Sequence, residues 1–201
     1  YELPSSELAQ LTQRAEHLAT GVPTGIMDQL CITSARQGHG ALIDCTTLAV
    51  RHIPIPSDVK IVVRFIAHRT LVGSAYADRV AQCKAAESII GPLRNAATSD
   101  IAKIDNKIIR ARASHVVSEN ERVLDFSSAL EEGDYHTAGF VMTDSHTSLA
   151  NDFEVSNSQM DHAVRTLCAT PGVYGARMTG GGFGGCIVAL CDPDAVVDGW
   201  H

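Results

Sequence analysis

The sequence predicts an α+β fold, with several helices clustered between short strands. Residues 59–67, 173–179 and 186–190 are rich in β-branched and apolar side chains, which is typical of strands. Between the first two of these segments, apolar residues recur at helical spacing. With 201 residues, 45% of them hydrophobic and 19% charged, the chain has ordinary globular composition. It is therefore long and apolar enough to bury a core.

The sequence of the first quarter of the chain predicts two helices and one strand. Residues 5–19 form an amphipathic helix, whose apolar stripe consists of Leu8, Leu11, Ala15 and Leu18. A loop rich in glycine and proline follows, then a short helix over residues 26–35 and a buried strand over residues 41–45. Pro54 and Pro56 mark a domain boundary, so we expect one domain over residues 1–54 and a second over residues 55–201.

The sequence of the second domain predicts one strand, then several helices, then two further strands. The strand covers residues 59–67, and the helices cover residues 74–90, 107–124, 125–132, 135–149 and 159–169. The closing strands, residues 173–179 and 186–190, are separated by a glycine run. We expect all three strands of this domain to share one sheet.

Charge and cysteine usage exclude several functions. The net charge is −7, and the densest basic stretch, residues 103–112, reads as a solvated helix face, so we expect no nucleic-acid partner. The sequence contains no run of eighteen apolar residues, so it predicts no membrane span. The six cysteines form no CxxC pair and the nine histidines form no HExxH pattern, so no metal site is indicated. The cysteines predict reduced core thiols and a cytoplasmic location.

The glycine run has two interpretations. Five of the six residues from 180 to 185 are glycine, which is costly in conformational entropy unless the backbone needs positive φ angles or close contacts. The run either forms a nest of N–H groups around an anion or makes a tight strand–strand connection. Gly180, Gly182 and Gly185 match the GxGxxG pattern of dinucleotide-binding loops. A strand is predicted after them, whereas such a loop is followed by a helix, so this interpretation is excluded.

Two further residues are candidates for a site. Asp28 follows a glycine- and proline-rich loop at the start of a predicted helix, where the helix dipole favours a carboxylate. It could act as a base toward a hydroxyl, although capping the helix is the more common role. The pattern around Tyr76 is more typical of core than of a ligand contact. Asp144-Ser145-His146 is not a catalytic triad, because neighbours on a helix do not face one another.

Four segments of the chain resemble conserved motifs of known proteins. Two of them are Gly21-Val22-Pro23-Thr24-Gly25-Ile26-Met27-Asp28-Gln29 and Gly175-Ala176-Arg177-Met178-Thr179-Gly180-Gly181-Gly182-Phe183-Gly184-Gly185-Cys186. The other two are residues 113–119 and residues 145–156. In that order they resemble the G-x-P-C-G-I-M-D-Q segment of galactokinases, the third conserved motif of GHMP kinases generally, and the R-H-V-V-S-E and S-H-x-S-L-x-x-D-Y-E-V-S stretches of galactokinases. The matches keep the order of the galactokinase family over nearly the whole chain.

The resemblance implies an enzyme that transfers phosphate from ATP, with Mg²⁺, to the C1 hydroxyl of D-galactose. It places Asp28 on the family's catalytic aspartate, and Gly25 and Tyr76 on sugar-contacting positions. The glycines of the run, which the resemblance assigns to support of the nucleotide loop, are Gly180, Gly181, Gly182, Gly184 and Gly185. The implied fold is the tail of a ribosomal-protein-S5-like domain followed by an α/β-sandwich domain. The full-length protein is expected to be a monomer.

The chain also departs from the family. The G-E-H-T-D-Y and G-L-S-S-S-A motifs, which carry an active-site arginine and the main phosphate loop, do not occur. We therefore expect a fragment that is inactive alone and exposes apolar surface that favours self-association. Thr24 replaces the usual cysteine, and Arg64-Phe65 replaces polar residues beside the sugar pocket. A non-catalytic sugar- and ATP-binding relative and an N-acetylgalactosamine kinase are the alternative functions.

Overall fold

The computed structural model describes residues 3–69 and 75–197. The chain divides into two compact units, Tyr1–Pro56 and Ser57–His201. The mixture of helices and antiparallel strands confirms the predicted α+β class. That the first unit is the tail of an S5-like domain remains a prediction.

The first unit contains two helices and a β-hairpin. Helix α1 covers Ser5–Thr20 and ends at Gly21, whose φ of 68° is typical of a helix terminus. Helix α2 covers Met27–Ser34. Strands β1, His39–Ile43, and β2, Val50–Pro54, pair antiparallel. The sequence did not predict β2, because its five residues have little apolar periodicity; Pro54, beside the predicted boundary, is the last residue of this edge strand, and proline is tolerated on edge strands.

The buried side of α1 differs from the predicted one. Ala9, Ile26 and Leu30 form the small core of this unit, with Ile43, Leu48 and Val50 packed against them. The predicted stripe is exposed, and Leu18 is 89% accessible to solvent. This prediction was wrong because polar residues of α1 face the loop before α2, and their hydrogen bonds to it fix the rotation of the helix.

The second unit begins with a strand and ends with two. Its strands are β3, Lys60–Ala67, β4, Val173–Met178, and β5, Gly185–Cys191. Between β3 and β4 lie α3, Tyr76–Ile90, a 3₁₀ turn, Leu93–Asn95, and helices α4, Thr98–Ile101, α5, Lys107–Glu132, α6, Tyr135–Asn151, and α7, Ser158–Cys168. The segments 107–124 and 125–132 form one helix instead of two, since no helix-breaking residue occurs before Gly133.

The three strands of this unit share one antiparallel sheet in the order β3-β5-β4, which confirms the expectation from the sequence. Val62 of β3, Ala176 and Met178 of β4, and Ile187 and Ala189 of β5 are buried in one core. The core is completed by residues of α6, of α7 and of the segment after α6, namely Leu149, Val155, Met160, Val164 and Leu167.

The cysteines do not all lie in the core. Cys191, in β5, is buried, but Cys45 and Cys168 are exposed. The prediction of core thiols is therefore wrong for these two, because one follows β1 in a turn and the other is the last residue of α7. Within residues 3–69 and 75–197, no helix is both long enough and apolar enough to span a bilayer.

Candidate functional site

The loop before α2 is tied to α1 through Thr24. The backbone carbonyl of Thr24 accepts hydrogen bonds from Gln13 Nε2 at 3.1 Å and from His17 Nε2 at 2.8 Å. Its hydroxyl donates to Glu16 Oε1 at 3.0 Å. The replacement of the family's cysteine by Thr24 therefore supplies a hydroxyl that bonds a carboxylate, for which a thiol is only a weak donor.

Glu16 also reaches the other end of the same segment. The side-chain amide of Gln29 donates to Glu16 Oε2. One carboxylate thus holds Thr24 and Gln29, the residues that flank Gly25 and Asp28 on either side. The carbonyl oxygen Oε1 of Gln29 is buried and has no hydrogen-bond partner in the described part of the chain.

Asp28 is the second residue of α2 and is exposed. The N-cap position of α2 is occupied by Ile26, and no side chain caps the helix, so the interpretation of Asp28 as a cap is wrong. Among residues 3–69 and 75–197, no hydrogen bond or ion pair engages the Asp28 carboxylate. The nearby thiol of Cys31 has a raised pKa, first because it is partly buried and second because of the negative charge of Asp28.

Gly25 lies three residues before Asp28 and faces open space. A Cβ added at this position would have no heavy atom within 4 Å, and the backbone is not in the left-handed region. The fold of this unit therefore does not itself require a glycine here. The structure places Gly25 and Asp28 in one segment, as the sequence predicts.

Tyr76 is the first residue of α3, in the second unit, and is half-buried. Ser74, with which the predicted helix begins, lies outside the described residues. The sugar contact assigned to Tyr76 by resemblance remains a prediction.

The glycine run connects β4 and β5 as a tight turn. Gly180, Gly182, Gly184 and Gly185 all have positive φ angles. A Cβ on Gly182 would lie 2.5 Å from the carbonyl oxygen of Val155, and one on Gly180 would lie 2.7 Å from a guanidinium nitrogen of Arg69. The Val155 backbone therefore excludes a side chain at Gly182, whereas the arginine beside Gly180 can move, and the positive φ angles with this packing support the interpretation as a tight connection. The role of these glycines, and of the half-buried Gly181, in nucleotide binding remains a prediction.

The turn after α6 supports this connection. The carbonyl of Val155 accepts the N–H of Phe183 at 2.6 Å. Arg79 of α3 donates to the carbonyl of Phe153 at 2.6 Å, and Arg112 of α5 donates to Glu154 Oε2 at 2.6 Å. The two arginines therefore hold the turn on which the glycine connection packs.

Arg112 corrects one interpretation of the sequence. It belongs to the basic stretch that was assigned to a solvated helix face, but only 2% of it is exposed. It pairs with Glu154 and donates to the carbonyl of Asp152 and to Gln82 Oε1. Its position on the side of α5 that carries the buried residues Ala113 and His115 is a signal that sequence reasoning missed.

The histidine of the R-H-V-V-S-E-like stretch is buried and neutral. His115 Nδ1 donates to Ser148 Oγ at 3.0 Å, and Ser148 donates in turn to Asp152 Oδ2 at 2.8 Å. Burial lowers the pKa of His115 from 6.5 to about 4, and the negative charge of Glu119 opposes this only in part. The residue therefore links α5 to α6 and to the turn.

The remaining motif residues also form internal contacts. Ser145 donates to Glu119 Oε1 at 2.5 Å, and Arg177 donates to the same oxygen at 2.9 Å. His146 accepts the N–H of Met178 at its Nδ1, and burial lowers its pKa. Asp144, Ser145 and His146 thus have separate partners, in agreement with the prediction that they form no triad. In the described ranges, no three His, Cys, Asp or Glu side chains come together as a metal site.

Comparison with known proteins shows which class the chain resembles. Residues 126–200 match the family model described as GHMP kinases C terminal. This part of the chain is therefore similar to the carboxy-terminal domain of GHMP kinases. Within that class its similarity is to galactokinases: it is 43% identical over 206 residues to the galactokinase of Chloroflexus aggregans and 40% identical over 195 residues to that of Homo sapiens. These matches cover 96% and 93% of this chain, but 53% and 50% of the relatives.

Solved structures agree with the sequence matches. The crystal structure of Lactococcus lactis galactokinase complexed with galactose superposes with a TM-score of 0.90 at 32% identity, over 96% of this chain and 53% of the other. The structure of L. major mevalonate kinase in complex with R-mevalonate has a TM-score of 0.56 at 17% identity, which is a likeness of fold alone. The chain spans about half the length of the relatives that it matches.

Proposed function

We propose that this protein is a galactokinase, which transfers a phosphoryl group from ATP to the C1 hydroxyl of D-galactose. The support is the similarity to galactokinases along nearly the whole chain and the likeness to a galactokinase structure that holds galactose. The expectation that these 201 residues are inactive alone belongs to the same proposal, since the phosphate-loop and arginine motifs of the family do not occur in the sequence. The cytoplasmic location remains a prediction.

The observation that carries the proposal is the exposed carboxylate of Asp28. It stands in the first turn of α2, does not cap the helix and has no partner in the described part of the first unit. A carboxylate that the fold does not use is available to accept a hydrogen bond from an acceptor hydroxyl and to orient that hydroxyl for transfer.

The sugar would contact the chain at Gly25 and Tyr76. The absence of a side chain at Gly25 leaves room for a ring to approach the backbone beside Asp28. Galactose is uncharged and has several hydroxyls, so its recognition depends on polar groups whose partners would be lost with the wrong sugar.

The nucleotide would depend on the glycine connection for support. Gly180, Gly182, Gly184 and Gly185 let the backbone between β4 and β5 pack closely, which fixes its shape. ATP supplies the phosphoryl group, and Mg²⁺, which is commonly held by substrate phosphates together with one or two carboxylates, supplies charge neutralisation.

The test is a chimaera in which residues 1–201 replace the segment that they match in the Chloroflexus aggregans galactokinase. We expect galactose-dependent formation of ADP and galactose 1-phosphate. Asp28→Asn, which keeps size and removes charge, should reduce turnover by at least about a hundredfold, the lower range for loss of a group that assists proton transfer. Asp125→Asn, the same substitution at an exposed position of α5, should leave turnover unchanged.

Three results would contradict the proposal. Near-normal turnover of Asp28→Asn would leave Asp28 without a role in the reaction. Turnover of N-acetylgalactosamine in place of galactose would identify the alternative sugar kinase, and sugar binding without turnover would identify the non-catalytic alternative.

A further inference from the structure

We infer that Arg112 is a positioning residue for the nucleotide, because it fixes the turn at residues 152–155 and this turn fixes the shape of the glycine connection between β4 and β5. The inference rests on the proposed function, since it takes the glycine connection to support the nucleotide. Only 2% of Arg112 is exposed, so the residue itself is not expected to contact ATP. It acts through the turn that it holds.

The guanidinium of Arg112 donates from all three of its nitrogens. Nη1 donates to the backbone carbonyl of Asp152. Nη2 donates to Glu154 Oε2 at 2.6 Å, and Nε donates to Gln82 Oε1 at 3.0 Å. Two of these acceptors belong to the turn, and the third belongs to α3. A planar guanidinium holds its donors in a fixed geometry, so the three bonds together set the position of the turn relative to α3 and α5.

A second arginine, Arg79 of α3, holds the same turn. Its Nε donates to the carbonyl of Phe153 at 2.6 Å, and its Nη2 donates to the carbonyl of Glu154 at 3.1 Å. Its Nη1 donates at 3.1 Å to Gln82 Oε1, the oxygen that also accepts from Arg112. The carbonyls of three successive residues of the turn therefore each accept from an arginine, and one glutamine joins the two arginines.

The turn and the glycine connection meet at two strained residues. Glu154 has a φ of 54° and Phe183 a φ of 62°, although neither is glycine. The carbonyl of Val155 accepts the N–H of Phe183 at 2.6 Å, and Gly182 packs against the same Val155. Left-handed backbone outside glycine persists only where the surrounding structure enforces it, and it is concentrated at functional sites. The bonds from the two arginines are what enforces it at Glu154.

The consequence for binding follows from preorganisation. Without the donors of Arg112, Glu154 can relax toward ordinary backbone angles, and the carbonyl of Val155 then moves away from Phe183. The glycine connection adopts its shape for a smaller share of the time, and the apparent binding constant of a ligand that needs this shape weakens in proportion. A competent share of about one tenth would raise the KM for ATP about tenfold. The groups assigned to galactose belong to other segments, so its KM should stay unchanged.

The experiment has two readouts. The first is amide hydrogen exchange of the 201-residue chain, in peptides that cover residues 152–156 and 179–186. The second is steady-state kinetics of the chimaera with the Chloroflexus aggregans galactokinase, in which the KM for ATP and the KM for galactose are measured separately. Circular dichroism identifies the variants that fold.

Four variants give the comparison. Arg112→Met keeps an unbranched side chain and removes the donors; Glu154, whose side chain is 58% exposed, can then be hydrated, so no unpaired charge is buried. Arg110→Met is the matched control on the same helix, because Arg110 donates to the carbonyls of Ile104 and Asp105, outside the turn. Arg112→Lys keeps the charge with one nitrogen in place of three. Glu154→Gln removes the charge of the pair without altering a buried side chain.

The expected result is specific to the nucleotide side. Arg112→Met should speed exchange over residues 152–156 and 179–186, leave the β1–β2 hairpin unchanged, and raise the KM for ATP about tenfold with an unchanged KM for galactose. Arg112→Lys should recover part of this loss, and Glu154→Gln should change both readouts in the same direction but less. Arg110→Met should change neither.

The outcomes separate the inference from the proposed function. Unchanged exchange over residues 179–186 in Arg112→Met, or in Glu154→Gln if the former does not fold, would overturn the positioning role. Faster exchange with an unchanged KM for ATP, or with equal increases in both KM values, would reduce Arg112 to a structural residue and also overturn it. If the unmodified chimaera transfers no phosphate to galactose, the proposed function fails and the inference fails with it, although the exchange result would still link Arg112 to the glycine connection.

Discussion

The buried histidine of α5 makes the second unit sensitive to acid. His115 is 5% exposed and has a pKa of about 4, lowered from 6.5 chiefly by burial. In the unfolded chain the same side chain titrates near its ordinary value. Between these two pKa values the unfolded state binds more protons than the folded state, so stability decreases as the pH falls from about 6.5 toward 4.

The magnitude follows from the two pKa values. The difference between 6.5 and about 4 corresponds to about 3 kcal/mol of unfolding free energy, reached only below the folded pKa. At pH 5 the unfolded histidine is almost fully protonated and the folded one is mostly neutral. The loss at that pH is therefore about 2 kcal/mol relative to pH 7.5.

The assay is urea unfolding followed by circular dichroism at pH 7.5 and pH 5.0. His115→Gln removes the titrating group while its amide can still donate to Ser148. We expect the pH-dependent loss of unfolding free energy to be smaller in this variant by about 2 kcal/mol. His146, whose pKa is also lowered by burial, contributes equally to both proteins and cancels in the comparison. An identical pH dependence in the two proteins would refute the reasoning.

Two glycine substitutions test the site without altering charge. Gly182→Ala should lower the unfolding free energy by about 2 kcal/mol or more, because a positive φ of 86° and a Cβ 2.5 Å from the Val155 carbonyl act together. Gly133→Ala is the control, because Gly133 has a φ of 76° but a Cβ there would have its nearest atom 3.9 Å away, so only backbone strain lowers its unfolding free energy. If urea unfolding shows equal losses of unfolding free energy in the two variants, the packing argument is wrong. Gly25→Ala should leave stability unchanged and weaken galactose binding in calorimetry, whereas Gly40→Ala, its control in the same unit, should change neither. Unaltered affinity in Gly25→Ala would exclude a sugar contact there.

Much of the fold follows from local pattern, and the errors have physical causes. The strands that became β3, β4 and β5 are apolar enough to be recognised alone, and their sharing of a sheet follows from the need to bury them together. Strand β2 was missed because five residues that include a histidine, an arginine and a proline have little apolar periodicity. Its place in the structure depends on pairing with β1, which a local pattern does not contain.

The exposed stripe of α1 shows the limit of apolar periodicity. The pattern predicts a helix correctly, but it assigns the inner face to the leucines. The face that contacts the rest of the unit is set by Gln13, Glu16 and His17, whose polar groups find partners on Thr24 and Gln29. Polar residues at helical spacing predict a solvated face unless the partners are known, and those partners lie on the loop before α2 and in the first turn of α2.

The same ambiguity limits what motif resemblance indicates about the roles of single residues. His115, Glu119 and Ser145 lie in stretches that resemble galactokinase motifs, yet their side chains form hydrogen bonds within the fold. These bonds join α5 to α6 and, through Glu119, to β4, the strand that leads to the glycine connection. A buried charge such as Arg112 is costly unless it is fully paired, so its partners on the turn at residues 152–154 constrain that turn strongly. The glycine connection in turn packs on Val155. A motif can therefore be distinctive because it supports a loop, whereas the carboxylate of Asp28 is exposed and has no partner among the described residues, so the fold leaves it available for chemistry.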